Sequence, residues 1–238
     1  MKRIAEGFLN LIYPRCCPLC HQVLRDQKSL ACPDCLRTLH PIGQPRCRIC
    51  GRPVAGQEDC CEDCAKGRVF REGRGIFLYD ERMKTSVLTY KYGGRREYGA
   101  FFAAALAAFG EKDVRRWRPD LIVPVPMYKK KQRQRGFNQA EDLALQAGRL
   151  LKLPVSAGLV RKTADTKSQK KLDARSRRRN LQEAFRVTAP ADGLRILVVD
   201  DVFTTGSTIE AVAAALKDAG AGEVFFLTVA IGVKKDFS

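Results

Sequence analysis

The chain has 238 residues and a formal net charge of +17, with 43 lysines and arginines against 26 acidic residues. Its 45% hydrophobic content is enough for a packed core, which excludes a disordered basic tail. All ten cysteines lie between Cys16 and Cys64, which excludes a disulfide framework for the whole chain. The basic excess favours an anionic partner such as nucleic acid, a phosphorylated metabolite or membrane lipid.

The first thirteen residues combine a basic start with apolar side chains, interrupted by Glu6 and Asn10. This pattern predicts a short amphipathic helix that packs on the protein, and contact with a membrane surface is the alternative. The apolar run is too short for a signal peptide, and no stretch reaches the roughly 18 apolar residues that span a bilayer. We therefore expect a soluble cytoplasmic protein whose cysteines are reduced.

Eight cysteines form four C-x-x-C pairs, separated by 11, 11 and 10 residues: Cys17/Cys20, Cys32/Cys35, Cys47/Cys50 and Cys61/Cys64. A two-residue spacer lets one turn present two thiolates to one ion, and four thiolates make the closed tetrahedral site of structural zinc. The sequence therefore predicts a double zinc ribbon with two Zn²⁺ sites, and we expect sequential pairing, first with second and third with fourth. The alternatives are interleaved pairing, redox or disulfide chemistry, and ligation by Cys16, Cys60, His21 or His40.

From about residue 76 onward, apolar strands alternate with segments of helical periodicity. Strands are predicted at 121–125, 195–200 and 224–231, and helices at 98–117, 138–151 and 207–219. The alternation predicts an α/β fold with a mostly parallel sheet flanked by helices. We divide the chain into an N-terminal helix with the double zinc ribbon, residues 1–70, and the α/β body, residues 71–238. Ligands of such sheets bind beyond the carboxyl ends of the strands, where loops 124–137 and 200–208 follow.

The second of these loops is a candidate phosphate site, which we call the phosphate loop (residues 204–208). An apolar strand delivers Asp200 and Asp201, and a helix then opens on Thr204, Thr205, Gly206, Ser207 and Thr208. Backbone N–H groups and hydroxyls at a helix start can cradle a phosphate, and Gly206 permits close approach and an unusual dihedral angle. The alternative is an acid pair at a strand end followed by a helix cap. The Gly-Lys-Ser/Thr of a P-loop is absent from this motif.

This stretch resembles the phosphoribosyl-diphosphate (PRPP) motif of type I phosphoribosyltransferases. The resemblance implies that Asp200 and Asp201 are the catalytic pair, contacting the ribose 2′ and 3′ hydroxyls, and that residues 204–208 hold the 5′-phosphate. It also implies Mg²⁺ with PRPP and displacement of diphosphate from C1 of the ribose. Phe203 stands where an aliphatic residue is commoner in that family.

The resemblance covers nearly the whole chain. The C-x-x-C pairs, with further blocks at 88–94, 124–126, 135–139 and 166–185, are similar to the ComF or GntX-like family of competence-associated proteins. Membership implies a type I phosphoribosyltransferase domain behind the zinc segment and a link with DNA uptake and utilisation.

The loop at 124–137 suits the diphosphate. It holds five cations within seven residues: Lys129, Lys130, Lys131, Arg133 and Arg135. Val125-Pro126 is a predicted cis peptide, which would turn N–H groups toward an anion. Lys91 and Arg135 fall in the blocks that resemble the family and are, with Val125 and Pro126, the predicted PRPP ligands here. A solvated surface role is the alternative for each cation.

Residues 161–179 contain nine basic and two acidic side chains. We expect part of this segment to form a hood loop that closes over PRPP, with Arg175 and Arg177 as its ligands. A solvated basic loop is the alternative.

Two functions from different classes follow. One is a Mg²⁺-dependent phosphoribosyltransferase with an unknown acceptor, linked to competence. The other is a catalytically silent PRPP sensor that binds single-stranded DNA during natural transformation, favoured by the 26 basic against 11 acidic residues within 76–186. The zinc segment has few aromatic residues for base stacking, namely Phe8, Tyr13 and Phe70. A zinc-stabilised scaffold with a vestigial site is the third hypothesis, and whether the protein is an enzyme stays open.

Overall fold

A computed structural model of the protein describes residues 13–56, 58–163 and 184–233. Its strands are β1 (Glu72–Leu78), β2 (Leu121–Pro124), β3 (Val160–Lys162), β4 (Phe185–Val187), β5 (Arg195–Phe203) and β6 (Glu223–Ile231). Its helices are α1 (Pro33–Arg37), α2 (Glu62–Ala65), α3 (Glu81–Tyr92), α4 (Tyr98–Trp117), α5 (Lys129–Arg135), α6 (Gln139–Leu151) and α7 (Ser207–Asp218). The predicted N-terminal helix lies outside the described residues.

Four strands form one sheet in the order β1-β6-β5-β2, and every neighbouring pair is parallel. The predicted α/β fold with a mostly parallel sheet is therefore confirmed. β3 and β4 form a separate antiparallel pair. Asp80 is the N-cap of α3, and its side chain accepts a hydrogen bond from Met83 N at 2.8 Å. Asn138 is the N-cap of α6, and its side chain accepts one from Ala140 N at 3.2 Å.

β1 was not among the predicted strands because glycines and charged residues interrupt its apolar pattern. Its glycines have a packing reason. A Cβ on Gly73 would lie 2.1 Å from the ring of Phe226, and one on Gly75 would lie 2.4 Å from Ile231. The backbone of β1 therefore lies directly beneath large side chains of β6.

The sheet carries a hydrophobic core on each face. Leu197 and Phe225 point to the face covered by α3, α4 and α6. Ile196 and Phe226, the alternating residues of the same strands, point to the face covered by α7 and the β3–β4 pair. Each face of the sheet is thus covered by its own set of elements, as expected for a parallel sheet.

The cysteine-rich segment packs on both faces. Its first half, residues 16–35, which we call the first knuckle, joins the core under α3 and α4. Its second half, residues 47–64, the second knuckle, joins the core under α7. The chain from Ile42, between the knuckles, to Ile49, in the second knuckle, crosses the free edge of β1. Ile42 N donates to Ile76 O at 2.8 Å, and Gly73 N donates to Ile49 O at 2.7 Å. This crossing covers an edge that would otherwise expose unpaired backbone groups.

No helix within the described residues is both long enough and apolar enough to cross a membrane.

Candidate PRPP site and zinc centres

The acid pair lies in β5, which has β6 on one side and β2 on the other. Asp201 is buried and Asp200 is half-buried. Asp200 Oδ1 accepts a hydrogen bond from Asp201 N at 2.9 Å. Both carboxylates therefore stand near the carboxyl end of the sheet, the edge at which parallel α/β sheets bind ligands.

Lys91, in the last turn of α3, forms an ion pair with Asp201. Its Nζ lies 2.8 Å from the Asp201 carboxylate, with the side chains 19% and 10% exposed. Burial lowers the pKa of Lys91, but the Asp201 carboxylate outweighs it, so the pKa is raised and the side chain is an ammonium ion. The sequence predicted Lys91 as a diphosphate ligand and did not predict its contact with Asp201.

Asp200 has an unusual acidity. Burial, followed by the neighbouring charge of Asp201, raises its pKa to about 7, although Lys91 opposes the shift. At neutral pH this carboxyl is therefore close to the midpoint of its titration, and a ligand that donates hydrogen bonds to the carboxylate would shift it toward the charged form.

The phosphate loop joins β5 to α7. Gly206 has a φ of 82°, and a Cβ there would lie 2.5 Å from the ring of Phe203. Phe203 in turn stacks on Phe226, with ring centroids 4.5 Å apart. Thr204, Thr205 and Ser207 are exposed and Thr208 is half-buried. The loop thus rests on an aromatic floor and exposes Thr204, Thr205 and Ser207 at the start of a helix, where a phosphate cradle would form.

The predicted cis peptide at Val125-Pro126 is wrong. Within the described residues the cis peptide bond joins Gln44 and Pro45. Val125 N already donates to Val199 O at 2.9 Å, extending the β2–β5 pairing, so this N–H is not available to an anion. Val125 is buried and Pro126 half-buried at the end of β2, one strand away from the acid pair.

The cationic loop at 124–137 contains a helix, α5, which the sequence did not predict. Its last residue, Arg135, lies over the ring of Tyr92 at 4.4 Å and donates to the Tyr92 hydroxyl and to Gln139. A cleft of about 630 Å³ opens here. Its lining includes Lys91, Tyr92, Arg96, Lys131, Arg135 and Phe137. Lys91 therefore connects this cleft to the acid pair. The hood residues Arg175 and Arg177 lie outside the described residues.

The cysteines form two clusters, each with its four Sγ atoms within 4.8 Å of one another. The members are Cys17, Cys20, Cys32 and Cys35 in the first knuckle, and Cys47, Cys50, Cys61 and Cys64 in the second. The pairing is sequential, as predicted. Tetrahedral Zn²⁺ with Zn–S bonds of about 2.3 Å requires S···S separations of roughly 3.8 Å. The Sγ–Sγ distances of 3.9 Å for Cys20–Cys32 and 3.7 Å for Cys50–Cys61 fit that ion.

The thiol chemistry also fits a metal. Burial raises the pKa of Cys17, but backbone N–H donors, with Cys32 foremost, lower it to about 7. Hydrogen bonds from the Cys50 and Cys64 thiols lower the pKa of Cys47. In each cluster one thiol is therefore favoured as a thiolate, the form that binds zinc. The pKa of Cys35 is raised to about 12, chiefly by burial, and that of Cys64 to about 12, chiefly by its hydrogen bond with Cys47.

The alternative ligands are placed elsewhere. His21 Nδ1 lies 3.0 Å from the Tyr98 hydroxyl. Cys16 and Cys60 are outside both clusters, although Cys60 Sγ lies 4.0 Å from Cys47 Sγ. His40 also stands outside the clusters.

Comparison with known proteins identifies both parts of the chain. The model of the double zinc ribbon domain matches residues 8–65, and that of the phosphoribosyl transferase domain matches residues 108–235. The chain is 31% identical over 218 residues to the DNA utilization protein YhgH of Salmonella typhimurium, covering 90% of this chain and 96% of that one. The chain belongs to the ComF family. This ComF-family chain is also 30% identical over 201 residues to competence protein ComFC of Bacillus subtilis, covering 79% and 78% of the two chains.

Likeness to solved structures is remote. The purine phosphoribosyltransferase of Pyrococcus horikoshii gives a TM-score of 0.39 at 16% identity, covering 55% of the ComF-family chain and 74% of the other. The assignment rests on the sequence matches instead.

The sequence also missed a residue that touches the phosphate loop. Arg52, in the second knuckle, donates to the backbone carbonyl of Thr204. No pattern marks it, because its partner lies 152 positions away along the chain.

Proposed function

We propose that this protein binds PRPP together with Mg²⁺ and transfers the phosphoribosyl group to an acceptor nucleophile. One observation carries the proposal: the acid pair stands near the end of β5, and the phosphate loop follows that same strand directly. Lys91 forms an ion pair with Asp201 at this point. A ribose 5-phosphate carries both hydroxyls and a phosphate, so one ligand offers groups for the acid pair and for the phosphate loop.

Each group has a task in this proposal. The carboxylates of Asp200 and Asp201 accept hydrogen bonds from the ribose hydroxyls. The hydroxyls and helix N–H groups of residues 204–208 bind the 5′-phosphate. Mg²⁺, when bound with PRPP, neutralises the charge that develops on the diphosphate leaving group. Lys91 compensates the Asp201 charge in the free protein and supplies a fixed cation beside the reacting sugar.

The second part of the proposal is a role in DNA uptake or utilisation. The names of the relatives, DNA utilization protein and competence protein, support it. The positive charge of the chain supports it as well, since phosphate contacts supply most non-specific affinity for DNA.

Calorimetry with PRPP and MgCl₂ tests the first part. We expect saturable binding by the wild-type protein and its loss in the double variant Asp200→Asn/Asp201→Asn. Asp218→Asn, an exposed acid at the end of α7, is the matched control and should bind normally. Absence of PRPP binding by the folded, zinc-loaded wild-type protein would overturn the proposal.

A second candidate function, binding of single-stranded DNA, is favoured by the cleft beside Lys91. Tyr92 is 65% exposed there and Phe137 half-buried, with Arg96 and Arg135 against their rings. Aromatic rings interleaved with cations are the elements of a stacking platform for bases. In the zinc segment, Phe70 is 2% exposed and cannot stack on a base.

Fluorescence anisotropy with a labelled oligo-dT strand separates the two functions. We expect affinity to fall steeply with salt and to weaken in Tyr92→Ala, by about 5-fold or more for one lost stacking contact. Tyr13→Ala removes an exposed tyrosine of the zinc segment, at 75% exposure, and is the control. Equal loss in both variants, or none in either, would exclude the cleft as the DNA site.

A further inference from the structure

The second knuckle is bonded to the start of the phosphate loop. Arg52 is 6% exposed, and its guanidinium donates to the carbonyl of Thr204, where the loop begins. It also donates from Nε to Gly232 O at 2.7 Å, just beyond β6. Its carbon Cζ lies 5.6 Å from the centre of the Phe203 ring, the floor of the loop. One side chain of the knuckle thus fixes the ends of two adjacent strands.

The same knuckle region also holds the helix that follows the loop. Glu210, in the first turn of α7, is 3% exposed. Its Oε1 accepts from Val69 N at 2.8 Å, and its Oε2 lies 3.6 Å from Arg68 Nη1. The phosphate loop is therefore held at its start by Arg52. The helix that follows it is held by Arg68 and Val69, which come shortly after the knuckle in the chain.

The turns that carry the four cysteines of the second knuckle contact Arg52 directly. Arg52 is two residues after Cys50, and its carbonyl accepts from Cys47 N at 2.7 Å. Its Nη1 donates to Asp63 at 2.9 Å, and Asp63 lies between Cys61 and Cys64. Both turns that carry the four thiols therefore orient this guanidinium. An arginine suits the task, since its planar fork can serve several acceptors at fixed angles.

We propose that the second knuckle is a positioning element of the phosphate loop. Its metal-held turns orient Arg52, and Arg52 holds the Thr204 carbonyl, which fixes the direction of the N–H groups that follow. The phosphate ligand rests on the proposed function, whereas the mechanical coupling does not. The two knuckles are therefore not equivalent. In the described chain, the first knuckle packs on the other face of the sheet, where His21 meets Tyr98 of α4.

Hydrogen exchange of the peptide covering residues 200–212 tests the coupling without any ligand. In Arg52→Met we expect exchange about 10-fold faster or more, because loss of charge-assisted hydrogen bonds frees the loop. PRPP affinity measured with MgCl₂ should fall by about 10- to 100-fold, in line with the loss of an outer positioning contact. Zinc content should stay at two ions per chain.

Arg46→Met is the matched control. Arg46 lies next to Cys47, and its guanidinium bonds Asp113 of α4 at 3.0 Å rather than the loop. We expect unchanged exchange at 200–212 in this variant. Equal exchange of the loop in Arg52→Met and Arg46→Met would overturn the proposal.

Single ligand variants test the metal. Cys61→Ser in the second knuckle should accelerate exchange at 200–212, whereas Cys20→Ser in the first should not. Acceleration by both, or by neither, contradicts coupling through the second knuckle alone. If Arg52→Met accelerates exchange while the wild-type protein fails to bind PRPP, the positioning role stands and the proposed function fails.

Discussion

Replacing Lys91 by methionine tests the electrostatics of the acid pair. The substitution keeps the aliphatic stem but leaves Asp201, with a side chain 10% exposed, without its cation. Breaking a buried ion pair by removing one partner costs about 3–5 kcal/mol. Because Lys91 keeps 19% of its surface in water, we expect the lower end, about 3 kcal/mol at pH 7.5. For a chain of this size that corresponds to a fall in Tm of about 6–12 °C.

The loss should depend on pH. Lys91 lowers the pKa of Asp200, so its removal raises that pKa further and the acid pair takes up a proton more readily. Protonation reduces the negative charge of the acid pair from two to one, so the stability difference between the variant and the wild type should shrink as the pH falls from 7.5 to 5. Urea unfolding at each pH measures the difference.

Two further variants make this experiment decisive. Lys84→Met removes a lysine from the same helix, where it is 46% exposed and pairs with the exposed Glu81, so its effect should stay within about 0.5 kcal/mol. Lys91→Met combined with Asp201→Asn should recover most of the loss, since neither charge then remains. If Lys91→Met costs no more stability than Lys84→Met, or if its cost does not shrink at pH 5, the ion pair between the Lys91 ammonium and the acid pair does not have the strength argued above.

Three further predictions concern single residues. Gly206→Ala should cost about 2 kcal/mol or more in urea unfolding and abolish PRPP binding in calorimetry, because the new Cβ meets Phe203 at a positive φ; a stable, PRPP-binding variant would contradict the loop geometry. Asp200→Asn should gain stability relative to the wild type as the pH rises from 5 to 8, by about 1–2 kcal/mol, because native Asp200, with its pKa raised to about 7, keeps a proton that the unfolded chain has already released; a constant difference would contradict the shift. Asp113→Asn should cost about 3 kcal/mol at pH 7, since this buried carboxylate accepts from three arginines. Burial alone would raise the pKa of Asp113, but the arginines outweigh it and lower that pKa. The cost of the substitution should therefore be complete at pH 7 and shrink as the pH falls below about 4. Unfolding curves at both pH values measure it.

Local features of the site could be predicted from the sequence. The spacing of the cysteines predicts both clusters, because each C-x-x-C turn presents its two thiols together. The long apolar runs of β5 and β6 identify buried strands, and Gly206 between two threonines and a serine marks a helix that starts on a left-handed residue.

Features that depend on distant partners could not be predicted. β1 lacks a continuous apolar run because its glycines make room for β6, a strand far along the chain. Arg52 has partners 152 and 180 positions away, and no local pattern encodes them. The cis peptide expected at Val125-Pro126 was wrong because a proline only permits a cis bond, and nothing local in the sequence selects the cis form at that proline.

The strand order has a consequence for how the protein is made. β1 pairs with β6, so that Glu72 stands opposite Phe225, and in the described chain these are the first and last strands. While a ribosome is still producing the middle of the chain, β1 has no strand to pair with. The knuckles have no such delay, because each set of four thiols comes from a short segment that is complete early. Metal capture can therefore precede closure of the sheet, whose distant pairing is the slow step.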